Sequence, residues 1–221
     1  MIQRVVHDAV GPLRECQVKS VLNVGGNSKA IPIPRYYAGW EHHLLDIDPR
    51  GKPDVVMDAR ELRRLPAASY DAIYCAHNLE HYHRGDGARV LEGFCHVLKD
   101  DGFAEIRVPD LMSVVKHVAQ QGMDLDDTLY VSASGPIMVR DVFFGYSVQV
   151  EQRGNEFFAH KTGFSPKSLA KFLTGRGFHT YAITSHSQFE LTAYVFKQLP
   201  TQELWSMLNL AGPVPAAEGT R

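Results

Sequence analysis

At 221 residues the chain suits one domain with a sizeable core, and its 44% apolar and 22% charged residues are the ordinary balance of a globular protein. A net charge of -2 and a pI near 6.6 leave no electrostatic footprint for nucleic acid, and no run of about 18 apolar residues reads as a membrane span. Cys16, Cys75 and Cys95 are too scattered for a disulfide framework or a thiolate metal site, and the charge-interrupted start Met1–Asp8 shows no secretory signal, so the expected setting is reducing and cytoplasmic.

An amphipathic segment to about Gln17 precedes a strand at Ser20–Val24, which ends in Gly25-Gly26. A proline-bearing loop through Gly39 leads to a second strand at His42–Ile47, and Asp54–Asp58 reads as a third. A short helical turn at Arg60–Leu65 stops at Pro66, and Asp71–Ala76 is a fourth, buried strand. Asp86 is placed to cap the next helix, whose Val90, Leu91, Phe94, Val97 and Leu98 share one face. Lys99-Asp100-Asp101-Gly102 is the stop signal, and Phe103–Val108 the fifth strand. Residues 111–121 and 137–144 look helical across the turn-rich 132–136, and 145–164 suits a lid or irregular insertion. Ser165-Pro166 opens a helix closed by Gly175-Arg176-Gly177, and His179–Thr184 with Leu191–Lys197 forms a final antiparallel pair. Beyond Glu203–Leu210 the tail 211–221 lacks the apolar content to pack. Strands alternating with helices imply a parallel sheet covered on both faces.

The three strand ends between Val21 and Asp58 describe the rim of a nucleoside pocket. Gly25 and Gly26 carry no Cβ, so the chain can turn sharply and a ligand can lie against bare backbone. Asp46 follows Gly25 by 21 positions, close to the spacing of about 20 at which an acidic residue reaches a ribose. Asp58, one strand further, is placed to receive the exocyclic amine of an adenine. A dinucleotide fingerprint needs G-x-G-x-x-G and a following helix to receive pyrophosphate. This chain reads Gly25-Gly26-Asn27-Ser28-Lys29-Ala30 and then sets Pro32 and Pro34 where the helix should run. S-adenosylmethionine carries no phosphate and tolerates such a truncated element.

The segments VLNVGG (21–26), LLDIDP (44–49), DVVMDAREL (54–62), YDAIYCAHNLEHYH (70–83), VLKDDGFAEIRVPDL (97–111), HKTGFSPKSL (160–169) and RGF (176–178) resemble, in order and spacing, the class I S-adenosylmethionine-dependent methyltransferases. Within that family the similarity is to small bacterial proteins with a Leu-Glu-His motif after the fourth strand. The resemblance implies a doubly wound, Rossmann-like α/β fold. Its seven-stranded, mostly parallel sheet would end in an antiparallel hairpin. It places a methyltransferase domain over residues 1–200, with an insertion at about 111–164, and a C-terminal helix and tail over 201–221. Gly25, Gly26 and Asn27 would approach the methionine part of the cofactor, Asp46 would bind the ribose, Asp58 and Ala59 would frame the adenine, and His77 and Asn78 would face the reacting methyl group. The family's usual G-x-G-x-G is reduced here to Gly25-Gly26-Asn27.

Methyl transfer is an in-line displacement, so holding the reactants in line supplies most of the catalysis, while a hydroxyl acceptor also needs its proton removed. Imidazole suits that task, and the candidates are His81 of the Leu-Glu-His motif, His160 on the insertion, and His77. His77 and His81 would share a face if their segment is helical. The competing reading of each histidine is a backbone hydrogen bond that positions a loop. His77-x3-His81-x-His83 is not the zincin H-E-x-x-H, because Glu80 precedes the second histidine, and no metal is assigned. Tyr130, Phe143, Phe144, Tyr146, Phe157, Phe158 and Phe164 either line an apolar acceptor pocket or belong to the core, and Arg140 and Arg153 either hold an acidic acceptor or are solvated. The expected activity is methyl transfer to an oxygen or nitrogen of a small-molecule or sugar-like acceptor, with neither nucleic acid nor membrane as partner. A noncatalytic adenosine-ligand binding module and a metal-dependent hydrolase are the alternatives from other classes.

Overall fold

The computed structural model describes residues 18–133, 135–146, 148, 150, 156–187 and 189–214. The expected N-terminal amphipathic segment, Cys16, Arg153 and the tail from residue 215 lie outside them.

Nine strands and five α-helices follow in chain order among the described residues. β1 (Ser20–Val24), β2 (Glu41–Asp46), β3 (Val55–Val56), β4 (Tyr70–Ala76), β5 (Leu98–Pro109), β8 (Thr180–Ser187) and β9 (Glu190–Phe196) form a seven-stranded sheet in the order β3-β2-β1-β4-β5-β9-β8. The first five are mutually parallel, and β9 runs antiparallel to both β5 and β8. This is the doubly wound sheet with an antiparallel last hairpin that the sequence predicts. The remaining strands, β6 (Thr128–Ser132) and β7 (Gly135–Met138), pair with each other outside it.

The alternation of side chains along a strand sorts the core into two layers. Leu22, Val24, Ile73, Cys75, Ala104, Ile106, Ala193 and Val195 face one way, under α1 (Arg84–Val97), a 3-10 stretch at Ala59–Arg64, and α4 (Pro166–Leu173). Val21, Ala72, Phe103, Tyr194 and Phe196 face the other way. No helix separates β1 from β2 beyond the 3-10 turn Arg35–Tyr37, as Pro32 and Pro34 require. Tyr37 and Trp40 from this loop, with Trp205 and Leu208 of α5 (Gln202–Met207) and its following turn, cover that layer instead.

One charged group is sealed beneath the loop. Glu105 is fully buried, accepts hydrogen bonds from Tyr36 Oη and from Tyr37 Oη (3.1 Å), and pairs with Arg107 at 2.8 Å. A third cluster joins α2 (Leu111–Gln121), the β6–β7 hairpin and α3 (Val139–Phe144) through Val114, Leu129, Val139 and Val142.

The structure corrects several expectations. Asp86 does not cap α1: the cap residue is His83, and Asp86 lies in the first turn, within 3.3 Å of Arg60 and 3.6 Å of Arg89. Lys99–Gly102 is not a loop but the start of a twelve-residue β5, because α1 passes into the strand at Leu98. The turn at 132–136 is the tip of the β6–β7 hairpin, so α3 begins at Val139. Residues 211–213 are exposed, but the chain stays tied to the fold to Val214: Trp205 Nε1 donates to the Ala211 carbonyl at 3.4 Å, and the half-buried Val214 rests on the second layer.

Candidate active site

The loops that follow β1, β2, β3 and β4 converge on one cleft at the carboxyl edge of the sheet. It is lined by Gly25, Asn27, Asp46, Asp58, Arg60, His77, Asn78, His81, Tyr82, Phe157, Phe158 and Lys161, among others. Parallel strands present all these loops on the same edge, which is why residues from Gly25 to Lys161 meet there.

Backbone geometry explains the glycines. Gly25 has φ +73°, and a Cβ there would stand 2.2 Å from Asn78 Nδ2, so the side chain of Asn78 lies directly over this turn. A Cβ on Gly26 would stand 2.3 Å from Nδ2 of the buried Asn23. Asn27 follows with φ +59°, and its N–H donates to Asp46 Oδ2 at 2.8 Å, while the Asp48 N–H donates to Asp46 Oδ1 at 2.8 Å. The buried Asp46 carboxylate therefore ties the glycine turn to the loop after β2.

Asp58 caps the 3-10 stretch through the Arg60 N–H (2.9 Å) and is gripped by the Arg60 guanidinium, with Nη2 2.6 Å from Oδ2. Burial alone would raise its pKa, but the Arg60 hydrogen bonds and charge prevail and lower it. Ala59 is buried below the rim. Tyr82 is pushed well above the ordinary phenol range, chiefly by burial.

The histidines part company. His77 has φ +50° and stands outside the 3-10 turn Leu79–His81, so it shares no helical face with His81. Its Nε2 lies 2.9 Å from Glu190 Oε2 and its Nδ1 3.5 Å from Glu80 Oε1. Desolvation works against its charge, but the two carboxylates prevail and raise its pKa to about 10; solvent screens part of this, because the side chain is 52% exposed. His81 has both ring nitrogens beside carbonyls, Nδ1 3.2 Å from Ala159 O and Nε2 3.1 Å from His77 O.

The structure brings His81 together with His160 instead, ring centroids 5.0 Å apart. Backbone contacts fix this meeting: Lys161 N–H and Thr162 N–H both donate to the Glu80 carbonyl, and His160 N–H donates to Phe144 O. Gly145, φ +97°, admits the 158–160 segment so closely that a Cβ would stand 2.0 Å from the Phe158 carbonyl. His160 Nδ1 donates to Val142 O at 2.9 Å, leaving the lone pair on Nε2. Its pKa is lowered, first by burial.

Residues 24–106 match the family model of the methyltransferase domain. The likeness to that domain covers 83 of the 221 residues. A search of curated proteins finds no match. Among solved structures, a protein from Pyrococcus horikoshii aligns with a TM-score of 0.56 at 12% identity, over 82% of this chain and 83% of its own. A SAM-dependent methyltransferase from Archaeoglobus fulgidus aligns with a TM-score of 0.51 at 16% identity, over 80% and 86%. The 1,6-didemethyltoxoflavin-N1-methyltransferase of Burkholderia thailandensis, with bound 1,6-didemethyltoxoflavin and S-adenosylhomocysteine, aligns at 0.50 and 15% identity, over 80% and 71%. At these identities the likeness carries the fold.

The fold thus places Gly25, Asn27, Asp46, Asp58, Asn78, His77 and His81 around one cleft and Ala59 in a small cavity adjoining it, whereas Gly26 and His160 are not among the residues that line either. Sequence reasoning missed Arg60, Tyr82 and Lys161 in the lining, and Glu190 as the partner of His77. Arg60, two positions beyond Asp58, was the readable one. Of the aromatic run, Phe157 and Phe158 line the cleft, Phe164 is core, and Phe144 is on the surface. Arg140 pairs with Asp126 at 2.7 Å.

Proposed function

We propose that this chain transfers a methyl group from S-adenosylmethionine to an oxygen or nitrogen of a small-molecule or sugar-like acceptor. The observation that carries the reading is the single cleft in which the Gly25 turn, Asp46 and Asn78 stand beside His81, Phe157, Phe158 and Lys161, in a chain with a methyltransferase domain. The Archaeoglobus and Burkholderia proteins, described as SAM-dependent and as holding S-adenosylhomocysteine, support the cofactor class.

The residues present fit that group. Each Asp46 oxygen accepts one backbone N–H and keeps a second acceptor position, enough for two ribose hydroxyls. Asp58 is saturated by Arg60, so it receives an adenine amine only as Arg60 swings toward Asp86, which it already approaches to 3.3 Å. The bare peptide of Gly25, under Asn78, faces the amino-acid end. When bound, the cofactor supplies an electrophilic methyl group on a sulfonium. The chain then has to hold an acceptor in line with it and keep water out, a task for Phe157, Phe158 and Tyr82. The acceptor's proton leaves through the imidazole pair His81, which lines the cleft, and His160, which keeps the lone pair on Nε2, and His77 is fixed at the rim by Glu190.

The test is a two-step assay on the full chain. Thermal stabilisation by S-adenosylmethionine is measured first, then S-adenosylhomocysteine formation across a panel of hydroxylated and amine acceptors. Stabilisation with turnover supports the proposal, and His81→Ala or His160→Ala then lowers turnover at least about tenfold at little change in cofactor affinity. Stabilisation without turnover on any acceptor assigns the chain to noncatalytic binding instead.

A further inference from the structure

We propose that Glu80, His81 and His160 form a binding site for one divalent transition-metal ion, of the zinc class, at the inner end of the cleft. One ligand atom from each of the three lies within 4.8 Å of the others. Two imidazoles and one carboxylate are the donor set that borderline ions select over magnesium or calcium, which prefer oxygen throughout.

Two further observations point to an ion. The Glu80 side chain is 1% exposed, and among the described residues neither carboxylate oxygen receives a well-formed hydrogen bond; His77 Nδ1, on a side chain 52% open to solvent, approaches only Oε1, at 3.5 Å, and the rings of His81 and His160 are the other basic groups beside it. A carboxylate so deeply buried is costly unless a cation meets it. The His160 imidazole is also oriented as a ligand usually is: its Nδ1 donates to the Val142 carbonyl, which fixes the tautomer and leaves the Nε2 lone pair for an ion. His81 stands with Nδ1 3.2 Å from the Ala159 carbonyl and Nε2 3.1 Å from the His77 carbonyl, so its ring turns off the His77 carbonyl to present Nε2 to the ion.

Ligand atoms about 2.0–2.1 Å from a tetrahedral ion stand roughly 3.4 Å apart, so the group closes by little more than an ångström, within reach of side-chain rotation. The three protein ligands leave a fourth position for water or an acceptor oxygen; with the ion bound, His81 and His160 serve as ligands instead of as the base, and the ion would lower the pKa of that oxygen so that its proton passes to solvent. That role in turnover rests on the methyl-transfer reading; binding of the ion does not.

Tag-free full chain, stripped with chelator and dialysed, is titrated with Zn2+ by calorimetry and with Co2+ by visible absorption. The expected result is one equivalent of Zn2+ at micromolar Kd or tighter, and d–d bands of four- or five-coordinate Co2+. His160→Ala and Glu80→Gln each weaken binding at least tenfold, while His83→Ala, outside the group, stays within twofold. Because Glu80→Gln disturbs a buried position, the spectrum of His160→Ala is read beside it, with folding checked by circular dichroism. No saturable binding, or binding unchanged in His160→Ala, overturns the site. Metal binding without any S-adenosylmethionine binding leaves the site standing and removes the methyl-transfer reading.

Discussion

Replacing Asp46 separates its structural work from its proposed contact with the cofactor. Its carboxylate accepts N–H bonds from Asn27 and Asp48, both at 2.8 Å, and it is 8% exposed. Hydrogen bonds to a charged acceptor contribute about 1.5–3 kcal/mol each. Asp46→Asn keeps the shape but turns one acceptor into an NH2 facing a backbone N–H, so it removes one such bond. In a domain of this size about 1 kcal/mol moves Tm by roughly 2–4 °C, which sets the expected fall at about 3–12 °C. Asp46→Ala removes both bonds and falls further. Differential scanning fluorimetry, with and without S-adenosylmethionine, reads both effects. The reasoning fails if Asp46→Ala melts within 1 °C of the parent, since the loops would then not depend on the carboxylate.

Four further outcomes follow from individual contacts. Gly25→Ala sets a Cβ 2.2 Å from Asn78 Nδ2 at φ +73°, so it displaces Asn78 and lowers cofactor-dependent stabilisation at least tenfold in Kd, read by titration. Glu105→Ala leaves Arg107 without its closest carboxylate and Tyr37 without its acceptor, and costs about 3–5 kcal/mol by urea denaturation. Asp71 is desolvated, which would raise its pKa, yet its bonds with Lys99 and the Ser20 N–H prevail and lower it. Its contribution is therefore complete above the unfolded value near pH 4 and is lost as pH falls through the lower folded value, so Asp71→Asn flattens the acid limb of a stability-against-pH curve. Trp205→Ala opens the second layer of the core and costs about 3–5 kcal/mol, whereas an independent C-terminal helix would leave the main transition unmoved.

Local signals carried most of the sheet and helices into the sequence. The apolar runs of β1 and β4, the Ser165-Pro166 start of α4, and the segment 111–121 were legible because each is set by neighbours within a few residues. The β6–β7 hairpin was not, since only its turn residues are distinctive and Val131 and Tyr130 point outward, blurring the alternation. The rim of the cleft was readable from Gly25, Asp46 and Asp58, each at a strand end. Its inner end was not: His160 reaches His81 through Lys161 and Thr162 bonding the Glu80 carbonyl, a contact spanning about 80 residues with no local trace. His77 bonds Glu190 across 113 positions, and Tyr36 bonds Glu105 across 69. The helical face expected for His77 and His81 failed because a left-handed residue at His77 ends the strand before any helix begins.

The central claim is that the carboxyl edge of β1–β4 receives S-adenosylmethionine. Isothermal titration of the compound into tag-free full chain tests it most directly, with Asp46→Asn as the paired variant. The account predicts one site in the micromolar range, weakened at least tenfold by the substitution. An absence of binding heat across several temperatures, with no change in Tm at millimolar ligand, would contradict it.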